Sequence, residues 1–134
     1  MSKELIYIGE INTPYDCLED CPSGIQIDGP MCKITLLPKY EAGLAGLKRG
    51  IRIEVFYWLE IIDRDVVVGP EGELDSSLGT FATRSAHRPN PIAQASVIIE
   101  HIDANQIFIK GMDCLNGTKL IDIKPAILSE IQAD

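Results

Sequence analysis

The stretch Ile51–Ile62, IRIEVFYWLEII, decides the reading of the fold. Ile51, Ile53, Val55, Tyr57 and Leu59 alternate with Arg52, Glu54, Phe56 and Trp58. A period of two over so many residues predicts a long β-strand with one apolar face and a second, partly aromatic face. Working outward, Lys3–Ile11, Met31–Leu37, Ala95–Ile102, Gln106–Met112 and Lys119–Lys124 are also rich in β-branched and aromatic residues, and each is bounded by turn formers. Asp103-Ala104-Asn105 predicts a turn between two of them, and Asn116-Gly117 is a dipeptide that favours a tight hairpin. Tyr40–Leu47 carries Leu44 and Leu47 at helical spacing, weakened by two interior glycines, ahead of a Gly50 cap. Asp16–Pro30 and the acidic Asp63–Ser77, with Val66-Val67-Val68 inside it, predict long loops. Strands outnumber helices and no βαβ alternation appears. The expected fold is mainly β: a single-domain antiparallel β-barrel over residues 1–134, with one or two short helices.

The chain carries 12 Lys and Arg against 20 Asp and Glu, a formal charge of −8. That balance excludes a nucleic-acid binder built on a broad basic surface. It leaves room for a local site of opposite sign. No apolar run approaches the roughly 20 residues of a membrane helix, and the first residues lack a secretion-signal pattern, so a cytoplasmic protein without a membrane partner is expected. A reducing compartment makes disulfides among Cys17, Cys21, Cys32 and Cys114 unfavourable. Their spacing matches no usual zinc pattern, so partly buried free thiols and no metal are expected.

The acids are unevenly placed. Glu54, Glu60, Asp63, Asp65, Glu71, Glu73 and Asp75 crowd one region, whereas Ser76–Ile99 contains none. Inside the acid-free stretch lies GTFATRSAHRPNPI, residues 79–92. Pro89 and Pro91 push Arg88 and Asn90 toward extended backbone, which makes a stiff platform for polar side chains. The planar forks of Arg84 and Arg88 fit a carboxylate or a phosphate, and Ser85, His87 and Asn90 add donors and acceptors. The same composition also suits a surface turn whose arginines pair with the neighbouring acids.

That run resembles the signature of the TsaA-like, or TrmO-like, family. The likeness extends to Ile8-Gly9, Thr13-Pro14-Tyr15, Cys21-Pro22, Leu44-Ala45-Gly46-Leu47, Gly111-Met112-Asp113, Asn116-Gly117-Thr118 and Leu120–Pro125, and so covers nearly the whole chain. The resemblance implies a β-barrel domain, a homodimer, and S-adenosylmethionine as cofactor. It implies methylation of N6 of threonylcarbamoyladenosine at position 37 of tRNA. Carried over by position, Arg84, Ser85, His87, Arg88, Asn90 and Pro91 fall in the cofactor and catalytic motif, and Asp122, Lys124 and Pro125 in a second motif. The resemblance makes Arg84 or Arg88 the partner of an anionic group, a cofactor carboxylate or an RNA phosphate. Asp122 becomes a partner for the cofactor's positive charge or an orienter of a motif arginine. His87 is the residue whose ordinary pKa suits it to take the N6 proton, and a hydrogen-bonded loop residue is the competing reading.

The chain departs from the family pattern around the motif. Ala86 stands where Pro is common, Ala93 where Gly is common, and Gln94-Ala95 replace a usual Leu-Ser. Arg52-Ile53-Glu54 occupies the place of a Ser-His-Ile element, Glu60 that of a His, and Ala126 that of an aromatic. The charged core of the motif is intact, while its surroundings are altered. Two classes of function follow: a methyltransferase acting on tRNA or another acceptor, and a non-catalytic S-adenosylmethionine-binding module. For Phe56-Tyr57-Trp58 the readings are packing in the core or at a dimer interface, or stacking against an RNA base.

Overall fold

The computed structural model describes residues 3–60, 64–65 and 78–127. The Val66–Val68 run and most of the acidic loop predicted over Asp63–Ser77 lie outside the described residues. Among the described residues seven strands form in chain order: β1 (Gly9–Asn12), β2 (Met31–Leu36), β3 (Arg52–Trp58), β4 (Ile92–Ile98), β5 (His101–Asp103), β6 (Gln106–Lys110) and β7 (Thr118–Pro125). They make one sheet in the order β4-β3-β7-β1-β2-β6-β5, with every pair antiparallel.

The alternation read in the sequence is what orients this sheet. In β3, Ile53, Val55 and Tyr57 are buried, while Arg52, Glu54, Phe56 and Trp58 face the other way. Ile11, Ile34, Ile107, Ile109 and Leu120 close over the same core, each fully buried. A side chain of this kind contributes about 2 kcal/mol when removed from water. Tyr57 thus belongs to the core, whereas Phe56 and Trp58 lie on the outer face beneath the cations of Lys124 and Arg64, at 6.0 and 5.3 Å from the ring centroids.

The closed barrel expected from the strand pattern is not described by the ladders. β4 and β5 are the two edges of the sheet, and among the described residues no register joins them. The physical reason is their connection. Ile99 and Glu100 join them as one run that passes from a partner beside β3 to β6 without folding back, so they do not lie side by side. Ile99 donates to the Ile51 carbonyl next to β3, and Glu100 donates to the Phe108 carbonyl of β6, so the chain changes partner at this corner. β4 and β6 come into contact across the core.

The short helix expected near Tyr40–Leu47 forms as a 3-10 helix, Pro38–Leu44. Short 3-10 turns also form at Leu18–Asp20 and Thr80–Ala82. Asn116-Gly117 does not close a hairpin, because β6 pairs with β2 and β5 while β7 pairs with β1 and β3. The corner is spent on β1: Asn116 and Gly117 donate their N–H groups to the Tyr15 and Ile11 carbonyls. The turn predicted at Asp103–Asn105 does form, as a two-residue loop of Ala104 and Asn105 between β5 and β6.

The loop after β1 is pinned at Gly111. Its carbonyl accepts from Gln26 N–H and its own N–H donates to the Pro30 carbonyl. Gly111 has a φ of +73°, and a Cβ there would stand 1.6 Å from the Gln26 carbonyl oxygen. Only glycine permits that approach. It fixes the direction in which Met112, Asp113 and Cys114 leave β6.

Candidate active site

The loop carrying the 79–92 motif is held by its own side chains. The Thr80 hydroxyl, buried, donates to the His87 carbonyl at 2.7 Å. Thr83 Oγ1 donates to the Thr80 carbonyl and accepts from Ser85 N–H, and Ser85 Oγ accepts from His87 N–H. These are local Ser/Thr turns, which offer the backbone partners outside helix or sheet. Arg88 Nη1 donates to the carbonyls of Thr83 and Ser85 at 3.1 and 2.9 Å. Arg64 reaches in from outside, donating from Nε to the Pro89 carbonyl and from Nη2 to Asn90 Oδ1. Pro91 is buried, and its carbonyl accepts from Leu59 N–H next to β3.

This loop forms one wall of a cleft of about 1310 Å³. Arg84, Ser85 and Arg88 line it, facing Tyr57, Trp58 and Asp113. Arg88 spends its Nη1 on the loop, and Asn90 Oδ1 is taken by Arg64. Arg84 is exposed, and its Nη2 makes one long contact, 3.4 Å, to the Gln94 carbonyl. Most of its donors are therefore available to a ligand.

The same cleft holds a pair that sequence reasoning did not single out as a site. Tyr57, 2% exposed, donates its hydroxyl to Asp113 Oδ1 at 2.5 Å. Burial pushes the Tyr57 hydroxyl far above its usual range, and the Asp113 charge and hydrogen bond push it further, while the Arg84 cation pulls the other way. Tyr57 is a neutral donor at any physiological pH. The signal in the sequence was its place on the apolar face of the alternating stretch, where a hydroxyl must find a partner once buried.

The remaining predicted residues lie elsewhere. His87 shares the motif loop but does not line the cleft, and its Nδ1 is buried with no partner among the described residues. Asp122 and Lys124 are exposed on β7. Asp122 Oδ1 accepts the N–H of Ile123, and the residue borders a separate groove of about 680 Å³ with Tyr40 and Leu44. Neither joins the motif loop at the cleft.

All four cysteines are free thiols: Cys32 and Cys114 buried, Cys21 partly so, Cys17 exposed. Burial pushes Cys114 up to about 12. Among the described residues no three His, Cys, Asp or Glu side chains gather as metal ligands. No helix of the described residues is long and apolar enough to cross a membrane.

Residues 10–130 match the family model of the tRNA-methyltransferase O N-terminal domain. The chain belongs to this family. Crystallographic TrmO from Pseudomonas aeruginosa superposes on the domain with a TM-score of 0.79 at 27% identity, covering 97% of this chain and 58% of the other. This TrmO-type domain thus spans well under two thirds of the solved protein's length. An S-adenosyl-L-methionine-binding protein from Archaeoglobus fulgidus is 33% identical over 118 residues, 87% of this chain and 84% of its own. The "Probable S-adenosyl-L-methionine-binding protein VirR" of Rhizobium radiobacter is 36% identical over 121 residues, 90% and 69% of the two chains. In this TrmO-type domain the 79–92 signature is the self-bonded loop that forms the cleft wall.

Proposed function

We propose that this TrmO-type domain binds S-adenosylmethionine in the cleft between the motif loop and the Tyr57–Asp113 pair. We propose further that it transfers the methyl group to N6 of threonylcarbamoyladenosine at position 37 of tRNA. The observation that carries the reading is Arg84: an exposed guanidinium with one long internal contact, in a cleft that a carboxylate, Asp113, also lines. A ligand with an anionic and a cationic end and an aromatic base suits such walls, and relatives are described as binding S-adenosylmethionine. Small-ligand sites usually occupy about 300–1,000 Å³. The larger cleft has room for a cofactor and an acceptor base together.

When bound, S-adenosylmethionine supplies an electrophilic methyl on a positively charged sulfur. The protein's part is to hold donor and acceptor in line, which is worth several kcal/mol without any covalent help. Arg84 anchors a carboxylate. Arg88, Thr80, Thr83 and Ser85 keep the loop in one shape, so little order is lost on binding. His87 acts in this reading as a positioning residue, through its main-chain bonds to Thr80 and Ser85. His87→Ala with unchanged turnover per bound cofactor removes it from proton transfer, whereas turnover lost with binding intact makes it the base. Asp122 and Lys124 are assigned to the outer face of β7. A homodimer working in the cytoplasm is part of the proposal, and sedimentation tests the dimer.

The test is calorimetric titration with S-adenosylmethionine, followed by mass spectrometry of nucleosides from tRNA incubated with protein and cofactor. Methylated threonylcarbamoyladenosine is expected. A second reading, a non-catalytic S-adenosylmethionine-binding module, draws on the net charge of −8, which works against tRNA affinity. Cofactor binding without any methylated nucleoside would select it.

A further inference from the structure

We propose that Arg84 and Asp113 form a two-ended clamp for the zwitterionic amino-acid end of the ligand, with Tyr57 as the positioning residue that holds Asp113. The inference rests on the S-adenosylmethionine reading above and names the subsite within it.

The argument begins with two opposite charges that share a cleft without neutralising each other. Arg84 comes from the motif loop and Asp113 from the segment after β6, and both line the same cavity. Within 4.0 Å the only ion pair among the described residues is Lys110 with Glu100, on a different part of the sheet. Arg84 and Asp113 are nonetheless near enough that both charges act on the Tyr57 hydroxyl, in opposite directions. A cation and an anion held apart at one site present complementary partners to a carboxylate and an ammonium on one ligand.

The Asp113 end is the more firmly built. The Tyr57 hydroxyl has one proton and gives it to Oδ1, which fixes the carboxylate's orientation. On β3 Tyr57 keeps the strict alternation of the strand and so points inward, and the register shift beside it adds Ile121 as an extra residue on β7. Asp113 is also fixed through its backbone, two residues beyond the pinned Gly111 and next to the fully buried Met112. This is a carboxylate held in place before a ligand arrives.

Charge decides which ligand group fits. The methionyl end of S-adenosylmethionine carries both a carboxylate and an ammonium. The threonyl end of threonylcarbamoyladenosine carries a carboxylate, but its nitrogen is acylated and neutral. It matches Arg84 but brings no cation to Asp113, whose half-buried charge then has only the neutral Tyr57 hydroxyl as partner. The clamp is therefore selective for the cofactor end.

Titrations of the whole chain with three probes test the clamp. S-adenosylhomocysteine keeps the zwitterion and lacks the sulfonium charge, and 5′-methylthioadenosine lacks the amino-acid end. Asp113→Asn is nearly isosteric and still accepts from Tyr57, so the fold is retained, as a thermal melt checks. It is expected to weaken S-adenosylmethionine and S-adenosylhomocysteine alike, by about ten- to hundredfold, and to leave 5′-methylthioadenosine unchanged. Arg84→Gln should show the same ligand pattern, and Tyr57→Phe the same pattern at about threefold, as a loosened rather than deleted charge. A loss confined to S-adenosylmethionine overturns the clamp in favour of sulfonium recognition. Equal losses for all three probes, or none, overturn it as well. If the unsubstituted protein binds none of the three, the cofactor reading itself fails, an outcome distinct from normal binding with insensitive variants.

Discussion

Arg88 binds its own loop: one nitrogen, Nη1, donates to the Thr83 carbonyl at 3.1 Å and to the Ser85 carbonyl at 2.9 Å. The motif's second arginine thereby braces the loop, while the exposed Arg84 has only one long internal contact. Arg88→Ala should cost about 2 kcal/mol of stability, since bonds from a charged donor to half-buried carbonyls are lost. Cofactor affinity should fall with it, because the loop wall loosens. Denaturant unfolding and calorimetry together check this. Unaltered stability with lost affinity would move Arg88 from the loop's scaffold to the ligand.

Gly111 should tolerate no side chain. In Gly111→Ala the new Cβ meets the Gln26 carbonyl oxygen at 1.6 Å and occupies a left-handed backbone angle. The angle alone costs about 1 kcal/mol, and the clash forces the Gln26–Pro30 loop away from β6. Expression as soluble folded protein should collapse, read by circular dichroism and proteolysis. A variant that folds normally would show that this loop docks differently.

Stability should fall at alkaline pH through two buried groups. Folding raises Cys114 from 9.0 to about 12 and raises Tyr57 above its ordinary 10.0. A raised folded-state pKa means the native state holds its proton more tightly than the unfolded chain. The associated stability is complete below about pH 9 and is lost as pH climbs toward 12. Denaturation midpoints should be flat from roughly pH 7 to 9 with respect to these groups and decline above that. Cys114→Ala should lower the starting stability and flatten the decline. Equal slopes in the two proteins would remove Cys114 from the cause.

Binding of tRNA should depend on salt only moderately. Arg84 and Lys119 are the exposed cations on the cleft wall. With Arg84 committed to the cofactor carboxylate, one contact from Lys119 to a single-stranded loop predicts a slope of roughly −0.7 for log affinity against log salt. Filter binding across a salt series measures it. A slope several times steeper would require a basic surface away from the cleft.

Much was legible in the sequence because strands and turns are short-range objects. The alternation in Ile51–Ile62 identifies which β3 residues face inward, since side chains on a strand point to opposite faces in turn. The prolines and hydroxyl residues of 79–92 mark a stiff loop for equally local reasons. The short helix read near Tyr40 forms as a 3-10 helix from Pro38, because two interior glycines leave too little propensity for a longer α-helix. The Asn116-Gly117 hairpin failed because a dipeptide specifies a bend and not which strands lie beside it.

The sequence by itself determined the strands, their buried faces, the acid-free motif loop and, through its resemblance, the family. Tertiary structure alone decided which charges meet. Asp122 and Asp113 both carry a carboxylate in family-like segments, nine residues apart. β7 turns Asp122 outward to its own backbone and a different groove, whereas the pinned Gly111 and the inward face of β3 bring Asp113 to Tyr57 across 56 positions of chain. No local pattern encodes that pairing, because it depends on the order β4-β3-β7-β1-β2-β6-β5 and on the register of two ladders.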